Sequence, residues 1–187
     1  GAEVSDIRKV VSPVLRTGVN STIYYIDFSF DKLKLGGSAF AQSLDKIGKE
    51  VPTVQDSEYF ANAFNAVQEL INKELILAGH DISAGGMITT MLEMNFANTE
   101  GGLEVSLDEI PEKDLVKILF SENPGILIQV EKTDEVEKIL KKAGVAFIRL
   151  ARPCDERHLL IHKDGADYQF FIDHLRDVWF ESSYLLD

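Results

Sequence analysis

Apolar and polar positions along this chain fall into runs short enough to be read one element at a time. STIYYIDFSF (Ser21 to Phe30) is dense in β-branched and aromatic residues and predicts a strand. DKLKL leads into GGSAFAQSLDKIG, where Ser38 stands as an N-cap and Ala39 to Ile47 as a short helix stopping at Gly48. In DSEYFANAFNAVQELINKE, Asp56 caps a longer helix with Phe60, Phe64, Val67, Leu70 and Ile71 on one face. LILAGH reads as a strand and GGMITTMLEMNFAN as a helix. GGLEVSL alternates like a strand, and DEIPEKDLVKILFSE predicts a helix from about Pro111, apolar between Asp114 and Phe120. GILIQV is a third core strand. KTDEVEKILKKAG has Thr133 as N-cap, acidic residues in its first turn, lysines in its last and Gly144 as C-cap. VAFIRLA and HLLIHKDG are two more strands, the second turning at Asp164-Gly165 into ADYQFF, and IDHLRDVWFESSYLL is a terminal helix.

No internal repeat, low-complexity tract or linker interrupts this series, so residues 1–187 read as one domain. Strands alternating with helices indicate an α/β (α+β) architecture, a mixed β-sheet flanked by helices, with the HLLIHKDGADYQFF hairpin as its antiparallel part. A chain of 187 residues can bury a sizeable core.

Charge narrows the partners. Nineteen basic against thirty-one acidic residues give a net charge of −12, a surface that repels phosphodiester backbones and argues against nucleic acid. An anionic small ligand then needs local help from backbone N–H groups or a metal. No apolar run approaches the ~18 residues of a membrane span, and GAEVSDIRKVV has no apolar signal region. The single cysteine, Cys154, forbids an internal disulfide and fits a reducing cytoplasm.

Candidate chemistry gathers at two strand-to-helix corners. In KLGGSAF the pair Gly36-Gly37 precedes Ser38; in GHDISAGGM, Ser83 precedes Gly85-Gly86. Paired glycines let backbone approach a ligand, and the first N–H groups of a helix with its dipole make an anion site, most often for phosphate. The plainer alternative is that the glycines only permit tight turns and close helix–sheet packing. A carboxylate beside a phosphate cradle is unfavourable unless a cation lies between, so Asp81 is a candidate Mg²⁺ ligand and Ser83 a phosphate hydrogen-bonding partner. The alternative for Asp81 is an Asx-turn or cap. His80 could be a base, but a lone histidine at a strand end more often serves packing. Cys154, flanked by charge in ARPCDERH, has no identifiable partner. His158 and His162 lack a third ligand, and Arg16 and Asn20 lie in a Gly-containing loop where a surface role is the default.

The order STIYYIDFSFDKLKLGGSAFAQSL, FANAFNAVQELINKELILAGHDISAGGMITTMLEMNFAN, GGLEVSL, ENPGILIQV and LRDVWFESSYLL resembles the C-terminal-type domain of the aminoimidazole ribonucleotide synthetase superfamily. It is most similar to the second such domain of the large phosphoribosylformylglycinamidine synthase family. That resemblance implies ATP- and glutamine-dependent conversion of formylglycinamide ribonucleotide to formylglycinamidine ribonucleotide, with Mg²⁺ and ATP (or ADP) as cofactors. It implies Asp81 as metal ligand, Ser83, Gly85 and Gly86 at the nucleotide, and Gly36, Gly37 and Ser38 near the same cleft. The family pattern has an acidic residue where Ala84 stands, which leaves Asp81 alone in the metal role. The expected partners are an N-terminal-type ATP-binding domain and a glutaminase domain of the same polypeptide; alone, the chain is expected to be inactive. Two other readings stay open. One is a structural copy holding a nucleotide for stability. The other is a different superfamily member, such as aminoimidazole ribonucleotide synthetase, selenophosphate synthetase or thiamine-phosphate kinase.

Overall fold

The computed structural model describes residues 6–184. After a short 3-10 turn, Ile7–Lys9, come β1 (Thr22–Asp27), α1 (Ala39–Ser43), α2 (Ser57–Asn72), β2 (Ala78–Asp81) and α3 (Gly86–Phe96). Then follow β3 (Gly102–Ser106), α4 (Leu115–Phe120), β4 (Gly125–Val130), α5 (Thr133–Lys142), β5 (Phe147–Cys154), β6 (His158–Lys163), β7 (Ala166–Phe171) and α6 (Ile172–Tyr184). The strands form one mixed sheet in the order β2-β4-β1-β5-β3-β6-β7.

The expected mixture of directions is present, but it is distributed differently from the sequence reading. Only β3 and β6 run parallel, and every other neighbouring pair is antiparallel, including β1 against both β4 and β5. The predicted β6–β7 hairpin is real and turns through Asp164 and Gly165, both at positive φ. It is one antiparallel ladder among five, because the other neighbours are distant in sequence and local pattern carries no record of their direction.

Both sheet faces are covered. Ile23, Tyr25, Leu103, Val105, Leu127, Leu159 and Ile161 point to a layer made by α3, α4 and α6. Tyr24, Ile26, Ile128 and Val130 point to α2 and α5. β1 is therefore buried on both sides, which is why its sequence is almost continuously apolar. Each such side chain taken fully out of water stabilises the fold by roughly 2 kcal/mol.

Several helix details depart from expectation: α1 ends at Ser43 rather than Ile47, α4 begins at Leu115 rather than near Pro111, and the buried face of α2 and the cap of α5 also differ. On α2, Ala63, Ala66, Val67 and Leu70 form the buried stripe, and Phe64 is 49% exposed. The stripe runs at i, i+3, i+4 and i+7 from Ala63, and Phe64, one residue further round the helix, falls outside it. On α5 the N-cap is Lys132, with no side-chain cap bond, and Thr133 is already helical. Asp134 and Glu135 in the first turn meet the helix dipole instead. By contrast Asp56 caps α2 as predicted, accepting the N–H groups of Glu58 and Tyr59 at 2.9 and 3.0 Å.

The α2/α5 face is tied down by one carboxylate. Glu137 accepts from Lys141 Nζ at 2.9 Å, the Tyr24 hydroxyl at 2.8 Å and Arg149 Nε at 2.7 Å. The Lys141 bond first, with Tyr24 and Arg149 behind it, holds the Glu137 carboxyl down at about 2 despite its burial. A folded-state value below the ordinary 4.5 means that its stabilisation is complete above pH 4.5 and lost as pH falls through about 2. Glu137→Gln is therefore expected to lower the melting temperature at neutral pH. It should also flatten the fall of that temperature across the same acid window. Thermal melts of the two proteins at stepped pH check this, and parallel curves would refute it.

Candidate functional site

At the sheet edge, β2 ends in Asp81 and the chain turns through Ile82, Ser83 and Ala84 into α3. Ile82 is buried and its N–H donates to Gly125 O at 2.9 Å, so the turn hangs from β4 by its inner side. Asp81, Ser83 and Ala84 face solvent. Thr90 Oγ1 bonds the main-chain oxygen of Asp81 at 3.1 Å, and His80 Nδ1 lies 2.8 Å from the same oxygen. The Asp81 carboxylate itself is 76% exposed, with His80 Nδ1 3.5 Å from Oδ1. It is thus not used as a cap or Asx-turn.

His80 is committed to structure. Its second ring nitrogen, Nε2, lies 3.2 Å from Glu93 Oε2, so both nitrogens face oxygens and the ring joins β2 to α3.

Gly85 and Gly86 both adopt left-handed φ, 87° and 73°. A Cβ on Gly86 would stand 2.6 Å from Leu119 O, and one on Gly85 would stand 2.3 Å from Thr89 Oγ1. At Gly86 close backbone packing against the end of α4 is the reason for the glycine. At the first corner, Gly36 is buried against Glu50, whose carbonyl a Cβ would meet at 2.3 Å, while Gly37 is exposed with φ 75°. Ser38 is buried and fully occupied: its hydroxyl donates to Leu35 O at 2.6 Å and accepts from Ala41 N–H at 3.2 Å.

The two corners meet. A single oxygen, Glu122 Oε1, accepts the N–H of Ala39 at 2.8 Å and that of Gly85 at 2.8 Å. The starts of α1 and α3 thus lie within the span of two hydrogen bonds. This arrangement also changes the expectation that the corner amides point outward unsatisfied. Gly86 N–H donates to Ser83 O, Gly36 N–H to Glu50 O, Gly37 N–H to Ile47 O and Ser38 N–H to Leu35 O. Beside these bonded amides the structure presents the Asp81 carboxylate, the exposed Ser83 and a groove next to the first corner. That groove is floored by Leu33, Leu35, Phe40 and Leu44 and rimmed by Lys46 and Lys49.

Glu122 escaped the sequence reading. Its only local signal is an acidic residue inside the apolar run LFSENPGILIQV, and its partners are 83 and 37 residues away.

Among the described residues, no group of three or more His, Cys, Asp or Glu is placed to hold a metal ion. Asp81 fits Mg²⁺ in a narrower sense, since that ion is commonly held by one or two carboxylates with phosphate and water completing its shell. His162 pairs with Asp167 at 2.6 Å on the sheet. Burial first, then Glu104 and Glu156, push the Cys154 thiol up, so no activated thiolate is built here. No helix among the described residues is long and apolar enough to cross a membrane.

The family described as AIR synthase related protein, C-terminal domain, matches residues 20–159. The chain is 36% identical, over 97% of its length, to the probable phosphoribosylformylglycinamidine synthase, chloroplastic/mitochondrial, of Arabidopsis thaliana. It is 35% identical over 95% of its length to the probable phosphoribosylformylglycinamidine synthase of Caenorhabditis elegans, and 31% over 97% to the human phosphoribosylformylglycinamidine synthase. It spans only 13%, 15% and 14% of those proteins respectively. In fold it matches Thermotoga maritima PurL complexed with ATP, with TM-score 0.69 and 15% identity over 91% of this chain and 28% of that one. The same protein complexed with FGAR matches with TM-score 0.67 and 21% identity over 91% and 30%.

Proposed function

The chain belongs to the AIR synthase related protein, C-terminal domain, family, and on that premise we propose that it is one domain of a phosphoribosylformylglycinamidine synthase. In this reading it serves the ATP- and glutamine-dependent conversion of formylglycinamide ribonucleotide to formylglycinamidine ribonucleotide in purine biosynthesis. The observation that carries the proposal is the likeness to three synthases over nearly the whole chain, combined with two glycine corners brought to one point.

Phosphorylating an amide oxygen with ATP makes a leaving group that ammonia can displace, and its difficulty lies in charge placed on the transferring phosphoryl group. Asp81 would hold Mg²⁺, which supplies neutralisation of that charge when bound. The exposed Ser83 hydroxyl donates to a phosphate oxygen beside it. Gly85 keeps the main chain low enough for this approach, Gly86 seats α3 on the end of α4 behind it, and Gly36, Gly37 and Ser38 shape the opposite wall. An N-terminal-type ATP-binding domain and a glutaminase domain supply the remainder, so the chain alone does not turn over. The lone thiol Cys154 suits a reducing compartment such as the cytoplasm.

A second reading is favoured by one feature: most corner amides are already used internally, which suits a nucleotide held for stability rather than cycled. Asp81→Asn in the full-length protein separates the two. Because the side chain is exposed, the melting temperature should not move. Steady-state assays should show kcat/KM for product formation falling roughly 100-fold or more. Unchanged kcat/KM would overturn the catalytic reading. Loss of a co-purifying nucleotide with turnover intact would support the structural one.

A further inference from the structure

The segment Ser121-Glu122-Asn123-Pro124-Gly125 joins α4 to β4 and touches both corners at several points. Towards the first corner, Ser121 Oγ donates to Lys34 O at 2.9 Å and accepts Lys34 N–H at 3.1 Å. Asn123 Nδ2 donates to Ser29 Oγ and Lys32 O, both at 3.1 Å, and Pro124 O accepts Phe28 N–H at 2.9 Å. Ser121 and Asn123 are themselves buried and hydrogen-bonded to each other. Towards the second corner, Gly125 O takes Ile82 N–H, and Glu122 Oε1 takes Gly85 N–H while also taking Ala39 N–H. The segment is therefore held rigidly, and its one charged side chain is the only part that bonds the main chain at both helix starts.

We propose that Glu122 is the positioning residue of the cleft: its carboxylate clamps the starts of α1 and α3 in fixed register and takes for itself the anion position that those N–H groups would offer. A carboxylate at the start of α3 is favoured by the helix dipole, and a charge-assisted bond is stronger than one to a neutral acceptor. An incoming phosphate finds that position filled. It is then held from the exposed side, by Asp81 through a cation and by Ser83, at a distance fixed by the clamp. The catalytic part of this inference rests on the synthase reading; the clamp itself does not.

Two measurements test it. Amide hydrogen exchange on this chain reads the clamp directly, with the α2 cap amides Glu58 and Tyr59 as internal controls. In Glu122→Ala, exchange at Ala39 and Gly85 should rise together by about tenfold while the controls hold. Glu122→Gln keeps an oxygen acceptor and should raise both by only about threefold. In the full-length protein, Glu122→Ala should cut kcat roughly 10- to 100-fold, and Glu122→Gln should recover most of it. Exchange that rises at one amide only, or at neither, overturns the clamp. So does turnover in Glu122→Gln as low as in Glu122→Ala. Failure of the catalytic reading of the site shows separately, as an indifferent Asp81→Asn beside intact exchange behaviour. If Glu122→Ala does not fold, the Glu122→Gln exchange and turnover still decide the matter.

Discussion

Gly86→Ala is expected to remove about 4 kcal/mol of unfolding free energy, combining a strained backbone with a main-chain overlap. Gly86 has φ 73°, where an L side chain costs about 1 kcal/mol or more. A Cβ there would also stand 2.6 Å from Leu119 O, 2.7 Å from Phe120 C and 2.8 Å from Phe120 Cα. None of these is the far end of a flexible side chain, so relief requires α4 to back away from α3. Met87, Met91, Ile118 and Leu119 pack in the cluster between those helices, and separating them exposes apolar surface. Gly144→Ala is the control: its φ is 69°, but nothing lies within 4 Å of the added methyl. Urea denaturation should show that variant losing only about 1 kcal/mol. Equal losses in the two variants would mean that backbone conformation, not close approach, explains the glycine at the second corner.

The opposite end of α3 has a dependence nearly as costly. Arg157 lies in the β5–β6 turn, yet its guanidinium reaches the carbonyls that close α3 and the loop after it. It donates to Asn95 O at 3.2 Å, Asn98 O at 2.7 Å and Gly101 O at 3.1 Å, and through Nε to Asp173 Oδ1 on α6 at 3.0 Å. The side chain is only 16% exposed. Asn95 O keeps the Asn98 N–H, but Arg157→Ala takes the guanidinium from Asn98 O, Gly101 O and Asp173 and is expected to cost about 3 kcal/mol, since a partly buried polar group left unpaired costs ~1 kcal/mol or more. Arg157→Lys should still cost about 2 kcal/mol, because an ammonium cannot reproduce a planar fork spread over four acceptors. Trp179 on α6, tilted against Phe96 at 5.8 Å, supplies the readout. Its fluorescence should shift as α6 loosens, and denaturation should give the free energies. A lysine variant as stable as wild type would show that charge alone, and not the fork, locks this end.

These two residues fix α3 at both ends, which lets the loop before it present Asp81 and Ser83 at a constant height. The fold links to the proposed chemistry here. Rigid packing at Gly86 and Arg157 sets a short exposed turn, and Glu122 sets its distance from the neighbouring corner.

Some of this was readable from residue order. Asp56 and Ser38 announced their caps because a capping side chain acts on amides two or three residues ahead, a range that sequence displays. Asp164-Gly165 announced the hairpin because a two-residue turn needs two left-handed conformations in a row. Where neighbouring residues compete for one role, the reading slipped: Thr133 yielded the cap position to Lys132, and Phe64 yielded its face of α2 to Ala63 and Ala66. Small residues carry little hydrophobic signal, so a stripe that includes two alanines was overshadowed by the larger ring beside it.

By itself the sequence determined which segments are strands and helices, where most of them begin, and that glycine pairs stand at two corners with Asp81 and Ser83 beside one of them. The strand order, the predominance of antiparallel neighbours and the meeting of both corners on Glu122 were decided only in three dimensions. Periodicity and capping arise from bonds a few residues long, which order along the chain records. The Glu122 contacts join groups 37 and 83 residues apart, and β1 meets partners more distant still, with Thr22 opposite Val130 and Ile23 opposite Ala151. Their energy depends on how the layers pack, and no local pattern stores it.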